Sequence, residues 1–194
     1  MSVYNKTMIT RIVDTLQEVF TNVPTSTEPK AADPVARAKV IGKSASMKAA
    51  AISSALALPP GPAGLLTIIP DLLLIWKLQG QMVADVAGAY GKSVVLTREG
   101  MLYCLFKHAG AQMVRNMVVA EGSRLLIRRA TPEILTKTLE RVGLTFSSRI
   151  AGQAASRWLP VAGAMGVGAF AYYDTNRISK TAQQTFAADI AVDN

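Results

Sequence analysis

The chain has 194 residues, half of them hydrophobic and only 6% aromatic, which is enough apolar surface for one sizeable core. Its bulk of Ala, Leu, Val, Ile and Met favours packed helices over a sandwich of strands, and Cys104, the single cysteine, excludes an internal disulfide and points to a reducing compartment. The formal charge of +8 lies in two segments: residues 1–58 carry seven Lys/Arg against four acids, residues 98–150 carry nine against four, and the remaining two segments are balanced.

Residues 3–20 place Ile9, Ile12, Val13, Leu16 and Phe20 at helical spacing, which predicts an amphipathic helix that docks on something. This N-terminus is polar and lacks the apolar core of a secretory signal. Residues 21–33, rich in Pro, Ser and Thr, read as a linker, so the helical domain proper is expected over 34–194. Asp33 followed by Pro34 is a helix start, an N-cap acid before a proline in the first turn. That helix should run to Leu58, where Pro59, Pro60 and Pro62 break it.

A short apolar piece follows, and Pro70-Asp71 is expected to open the next helix, over 71–90, with Gly91 as its stop. Thr97 should cap a helix reaching Val119, with a basic segment beyond Gly122. Thr131-Pro132-Glu133 opens a helix ending near Gly143, a further helix covers 145–159, and Pro160 opens the last, to about Ile190. No strand is expected, since no stretch alternates for long and Asn-Gly and Asp-Gly hairpin signals are absent. Residues 49–76 contain one charge, Asp71, but the prolines divide them, so neither half spans a bilayer. A buried helical hairpin and a re-entrant or interfacial one are both open.

The run Gly64-Leu65-Leu66-Thr67-Ile68-Ile69-Pro70-Asp71-Leu72 leads on to Ala87-Gly88-Ala89-Tyr90-Gly91, and Pro160-Val161-Ala162-Gly163 recurs near the C-terminus. Together these motifs resemble the EcsC family, a bacterial family related to the helical domain appended to some Era-like GTPases. The resemblance marks Gly64, Pro70, Asp71, Tyr90, Gly91, Pro160 and Gly163 as family-motif positions of structural kind. It implies an all-α protein linked in some members to transporter operons, secretion or membrane association, and it implies no reaction.

The residues themselves suggest no catalytic site, cofactor or metal. The run from Ala87 to Ser93 fails as a phosphate-binding loop, because Val86 stands where the first glycine belongs and Gly91 closes a helix instead of opening one. Cys104 and His108 are four apart, but no further His or Cys exists to complete a zinc site, and no third group orients them as a nucleophile pair. Asp71 either completes the first turn of its helix or is a buried charge with a basic partner. Gly163, Gly166 and Gly168 make a small-residue surface against which another helix could pack, with residues 49–58 the candidate.

The basic residues Arg115, Arg124, Arg128, Arg129 and Arg141 form a candidate contact face. Basic charge beside apolar surface suits an anionic membrane surface or an acidic or membrane-protein partner, and a solvated helix face explains it equally well. Nucleic acid fits less well: there is no helix-turn-helix pattern and no aromatic-interleaved platform. The expectation is therefore a compact all-α bundle of seven to nine helices around a Gly/Pro-punctuated apolar hairpin. Its expected role is a cytoplasmic, non-enzymatic, membrane-associated module at the inner face of the membrane, with no small-molecule substrate. The alternative is a soluble scaffold that oligomerises or docks a partner through its N-terminal helix.

Overall fold

The computed structural model describes residues 10, 13–14, 16–17, 23–56, 68–109, 112–121, 124–154 and 160–192. They form a helical bundle with a small sheet at its side: α1 (Pro34–Leu56), α2 (Ile68–Ala89), α3 (Arg98–Phe106), α4 (Gln112–Arg115), β1 (Val118–Glu121), β2 (Arg124–Ile127), α5 (Pro132–Ala154), α6 (Pro160–Ala187) and β3 (Asp189–Val192). Single 3-10 turns cover Ser93–Val95 and Lys107–Ala109. Most of the expected N-terminal helix, the Pro59–Pro62 break, Gly64 and the side chains of Pro70, Asp71 and Gly163 lie outside the described residues.

The centre is a layer of α1, α2 and α6, with α1 and α6 in the most extensive contact. Asp33 caps α1 as its sequence predicts, its carboxylate accepting the Ala36 N–H at 3.0 Å. The buried face of α1 is made of small residues: Ala38, Gly42, Ala45, Ser46, Ala49 and Ser53. They let the backbone of α6 come close. A Cβ added to Gly42 would sit 1.8 Å from Ser179 Oγ, and one added to Gly168 would sit 2.0 Å from Ser54 Oγ and 3.1 Å from the Ala50 carbonyl. Gly168 thus packs on the 49–58 stretch, as its small-residue surface suggested. These two contacts run α1 and α6 antiparallel. Gln79 of α2 donates to Thr175 of α6 at 3.0 Å, buried between the helices, and Lys92 just past α2 donates to the Ala188 carbonyl just past α6, so α2 and α6 run parallel.

Larger side chains fill the space between this layer and α3. Trp76 and Phe106 meet edge to face at 6.1 Å, and Met101, Leu102, Val83, Val86, Val114 and Phe186 close around them. Leu16, from the N-terminal segment, is fully buried in the same cluster.

Several boundaries differ from expectation. Ile68 is already helical, so Pro70 and Asp71 lie inside the first described turn of α2 and do not open it. Proline is tolerated there because its missing N–H has no intrahelical partner in a first turn. The helix expected over 97–119 stops at Phe106; the chain then makes a 3-10 turn, one turn of α4 and a strand. The two helices expected on either side of Gly143 are one helix, α5, because a glycine inside a helix costs only about 1 kcal/mol and Leu139 and Val142 are buried beside it. The last helix ends at Ala187, before Ile190, and the chain leaves it as β3. Among the described residues there are six α-helices, and residues 10, 13–14 and 16–17 of the N-terminal segment are helical as well.

The unexpected sheet has the order β1-β2-β3. β1 and β2 form an antiparallel hairpin (Val118↔Ile127, Glu121↔Arg124), and β3 adds parallel to β2 (Arg124↔Asp189, Ile127↔Val192). Ile127 is its one fully buried residue and packs beside Gly100 of α3. The sheet therefore flanks the core and does not form it.

The expected linker is also ordered. Residues 23–30 run without helix or strand along α2, and the Ala31 N–H donates to the Ala89 carbonyl at 3.0 Å. Ser26 and Glu28 cover Gly88, and Lys30 covers Gly91. Arg37 clamps Glu28 through two bonds, at 2.6 and 2.9 Å.

Candidate functional site

Two surface features stand out, at neighbouring levels along α6. The first is an apolar end. Residues 49–76 and 158–173 contain one charged residue, Asp71. The antiparallel and parallel pairings of the central layer bring the C-terminal end of α1 and the N-terminal ends of α2 and α6 to one end of the bundle. Large apolar side chains are exposed there: Met165 at 71%, Tyr173 at 67%, Phe170 and Leu74. Gly166 on the same face of α6 has nothing within 4 Å of a built Cβ. Exposed basic residues follow at the edge of this zone, Lys48 on α1, Lys77 on α2, and Arg177 and Lys180 on α6. Among the described residues, no helix is long and apolar enough to cross a membrane.

The second feature centres on His108, in the 3-10 turn after α3. Its Nε2 lies 2.8 Å from Thr181 Oγ1, and its Nδ1 lies 3.4 Å from the guanidinium of Arg177. Arginine can only donate, so Nδ1 is the unprotonated nitrogen and Nε2–H donates to Thr181. The Thr181 hydroxyl in turn donates to the Arg177 carbonyl at 3.1 Å. The imidazole is therefore neutral in this arrangement. Its pKa is held below the ordinary histidine value, first by partial burial and then by the charges of Arg177, Lys107 and Arg115. Lys107 itself lies over the Tyr103 ring, 5.1 Å from its centre. Among the described residues no acid ion-pairs with Lys107, Arg115 or Arg177.

The cationic cluster is assembled differently from the contact face expected from sequence. Arg115, Arg124, Arg128, Arg129 and Arg141 are all exposed, but they stand on α4, on β2, in the β2–α5 connection and on α5. Arg124 is already engaged by Asp189 across the sheet at 3.1 Å. Of the five, only Arg115 joins the histidine cluster. Arg177 and Thr181 are the members that sequence reading does not find. They stand 69 and 73 residues beyond His108, and only the fold brings them to it.

The remaining motif positions are structural in their contacts. Gly91 adopts φ +68°, and the N–H groups of Gly91 and Lys92 donate to the carbonyls of Gly88 and Ala87, which closes α2 as a Schellman cap. Tyr90 is partly buried beside this cap, and its phenol is raised above the ordinary value by burial and by Asp33. Lys92 donates to the Ala188 carbonyl just past the end of α6, so the lysine of the rejected phosphate loop ties two helix ends together. Pro160 is the first described residue of α6. Cys104 is fully buried and donates to Thr185 at 3.9 Å, one helical turn from the threonine that holds His108. Burial pushes its thiol up to about 12. Among the described residues, no three His, Cys, Asp or Glu side chains group to hold a metal.

No family model, no curated protein and no solved structure matches the chain.

Proposed function

We propose that the protein is a non-enzymatic helical module that seats its apolar end at the interface of an anionic membrane, in keeping with the sequence resemblance to the EcsC family. The observation that carries this reading is the exposure of Met165, Phe170, Tyr173 and Leu74 at an end where Asp71 is the one charge of residues 49–76 and 158–173, with Lys48, Lys77, Arg177 and Lys180 outnumbering Asp174 at its border. Exposed apolar surface of this kind is a liability in water and is explained by a partner that covers it. From Met165 to Tyr173, α6 rises about 12 Å. That depth suits partial entry to the headgroup–acyl boundary and falls short of a span. Long basic side chains at its upper edge can lay their stems along the apolar surface and leave their charges among the lipid headgroups. The protonated, buried thiol of Cys104 makes a poor nucleophile, which supports the non-enzymatic part of the reading.

The alternative reading, a scaffold that docks through its N-terminal helix, is less favoured because Leu16 of that segment is already buried within the bundle. Flotation with phosphatidylcholine vesicles, with and without anionic lipid, tests the proposal. The protein should float with anionic vesicles at low salt, and Met165→Asp together with Phe170→Asp should abolish flotation while the circular dichroism spectrum stays unchanged. A protein that stays at the bottom of the gradient with anionic vesicles at low salt overturns it.

A further inference from the structure

Arg177 of α6 lies against His108 at the end of α3, and Lys107 and Arg115 are close enough for their charges to act on the same ring. Lys107 follows α3, Arg115 ends α4, and Arg177 lies on α6 one turn beyond Tyr173. Like charges to which no acid is ion-paired among the described residues repel one another, and solvent screens them. The Arg177 guanidinium spends one N–H on His108 Nδ1, and its other donors remain on an exposed side chain. The imidazole is already oriented by Thr181, so its Nδ1 faces Arg177 and not the protein interior.

We infer that Lys107, His108, Arg115 and Arg177 form a binding site for a phosphate monoester group. A monoester carries about −1.5 to −2 charges at neutral pH and three acceptor oxygens, which matches three cationic donors better than a carboxylate does. Its oxygens accept from the Arg177 fork and from the Lys107 ammonium. Once the phosphate occupies the space beside Nδ1, a proton taken up by His108 gives it a further donor. Phosphate binding and protonation of His108 therefore favour each other.

A lipid headgroup and a soluble molecule are the two sources of such a phosphate; the first rests on the membrane reading above, since Arg177 would then stand at headgroup level. The second source does not.

His108 is the only histidine in the chain, so its ring resonances report the site without assignment work. In the full-length protein, inorganic phosphate should shift them saturably and raise the titration midpoint of His108, beyond what sodium chloride does at equal ionic strength. Arg177→Gln and Lys107→Gln should each weaken phosphate binding about fivefold. Arg124→Gln, outside the cluster and paired to Asp189, should leave it unchanged. With vesicles of equal surface charge, a lipid source predicts tighter binding to phosphatidic acid, a monoester, than to phosphatidylserine, and loss of that preference in Arg177→Gln. Saturable phosphate binding without that preference supports the site with a soluble ligand. Phosphate binding without any vesicle binding removes the membrane reading and leaves the site standing. Vesicle binding with a phosphate response no larger than that of chloride removes the site and leaves the membrane reading.

Discussion

The carboxylate of Asp85, in the last third of α2, accepts the backbone N–H of Thr27 at 3.1 Å, across 58 residues of sequence. The same oxygen accepts the Ser26 hydroxyl at 3.2 Å and the Gln81 side-chain amide at 2.9 Å. One acid thus fastens the segment that leads from the N-terminal region into α1.

Asp85→Ala should release this segment. Hydrogen bonds to a charged acceptor contribute about 1.5–3 kcal/mol each, but the Thr27 N–H is exposed and can turn to water, so the expected loss is about 1–3 kcal/mol in all. Urea titration measures it, and trypsin should gain access to Lys30 under native conditions. Unchanged stability with unchanged cleavage would show that the contacts on Gly88 and Gly91 hold the segment without Asp85.

The glycines of the central layer separate by what surrounds them. Gly42→Ala and Gly168→Ala place a methyl against Ser179 and against Ser54 with the Ala50 backbone, and should each cost about 1–3 kcal/mol because two helices must move apart. Gly166→Ala meets nothing and lies inside a helix, so it should be stabilising by roughly 0.5–1 kcal/mol. Thermal melts of the three variants check the ordering. Equal effects at Gly166 and Gly168 would contradict the packing of α6 on α1.

Helix starts and stops were readable because they are chemical marks. Asp33, Thr97 and Gly91 cap where their residue types require, with Thr97 accepting the Gly100 N–H at 3.3 Å. The strands carried no such mark. Each is four residues long, and β2 is held on one side by β3, distant in sequence, through Arg124↔Asp189, and on the other by its neighbour β1 in a hairpin without an Asn-Gly or Asp-Gly turn. Buried Glu99 adds a contact of the same kind, accepting the Ala130 N–H at 3.1 Å where the chain turns into α5. The candidate site was half legible. Lys107, His108 and Arg115 are close in sequence, but Arg177 reaches them only because Gly42 and Gly168 let α6 lie down on α1.

Cys104 should resist thiol reagents at pH 8 for as long as the protein stays folded, and react fully in denaturant. Its pKa is raised from 9.0 to about 12 by burial, so the folded protein keeps the proton after the unfolded chain has lost it. The associated stability is complete below pH 9 and declines as pH rises toward 12. Between pH 9 and 11 the wild type should lose stability faster than Cys104→Ala, by up to about 1.4 kcal/mol per pH unit. Parallel pH profiles for the two proteins would mean that the thiol ionises in place.

His108 titrates in the opposite sense. Partial burial, then Arg177, Lys107 and Arg115, hold its pKa below the ordinary histidine value of 6.5, so the unfolded chain binds the proton first as pH falls. Its contribution to stability is complete above pH 6.5 and is lost as pH falls through the lowered folded value. Protonation also breaks the local geometry, because a protonated Nδ1 can no longer accept from Arg177, and two cations are left at 3.4 Å. In phosphate-free buffer the wild type should therefore lose stability between pH 7 and 5 more steeply than His108→Gln, which has nothing to titrate there. Arg177→Gln should move the histidine resonance midpoint upward, but only part of the way, since burial is the larger cause. Arg124→Gln should not move it, because that guanidinium belongs to Asp189. A wild-type midpoint at or above the ordinary histidine value, in phosphate-free buffer, would break this account of the cluster.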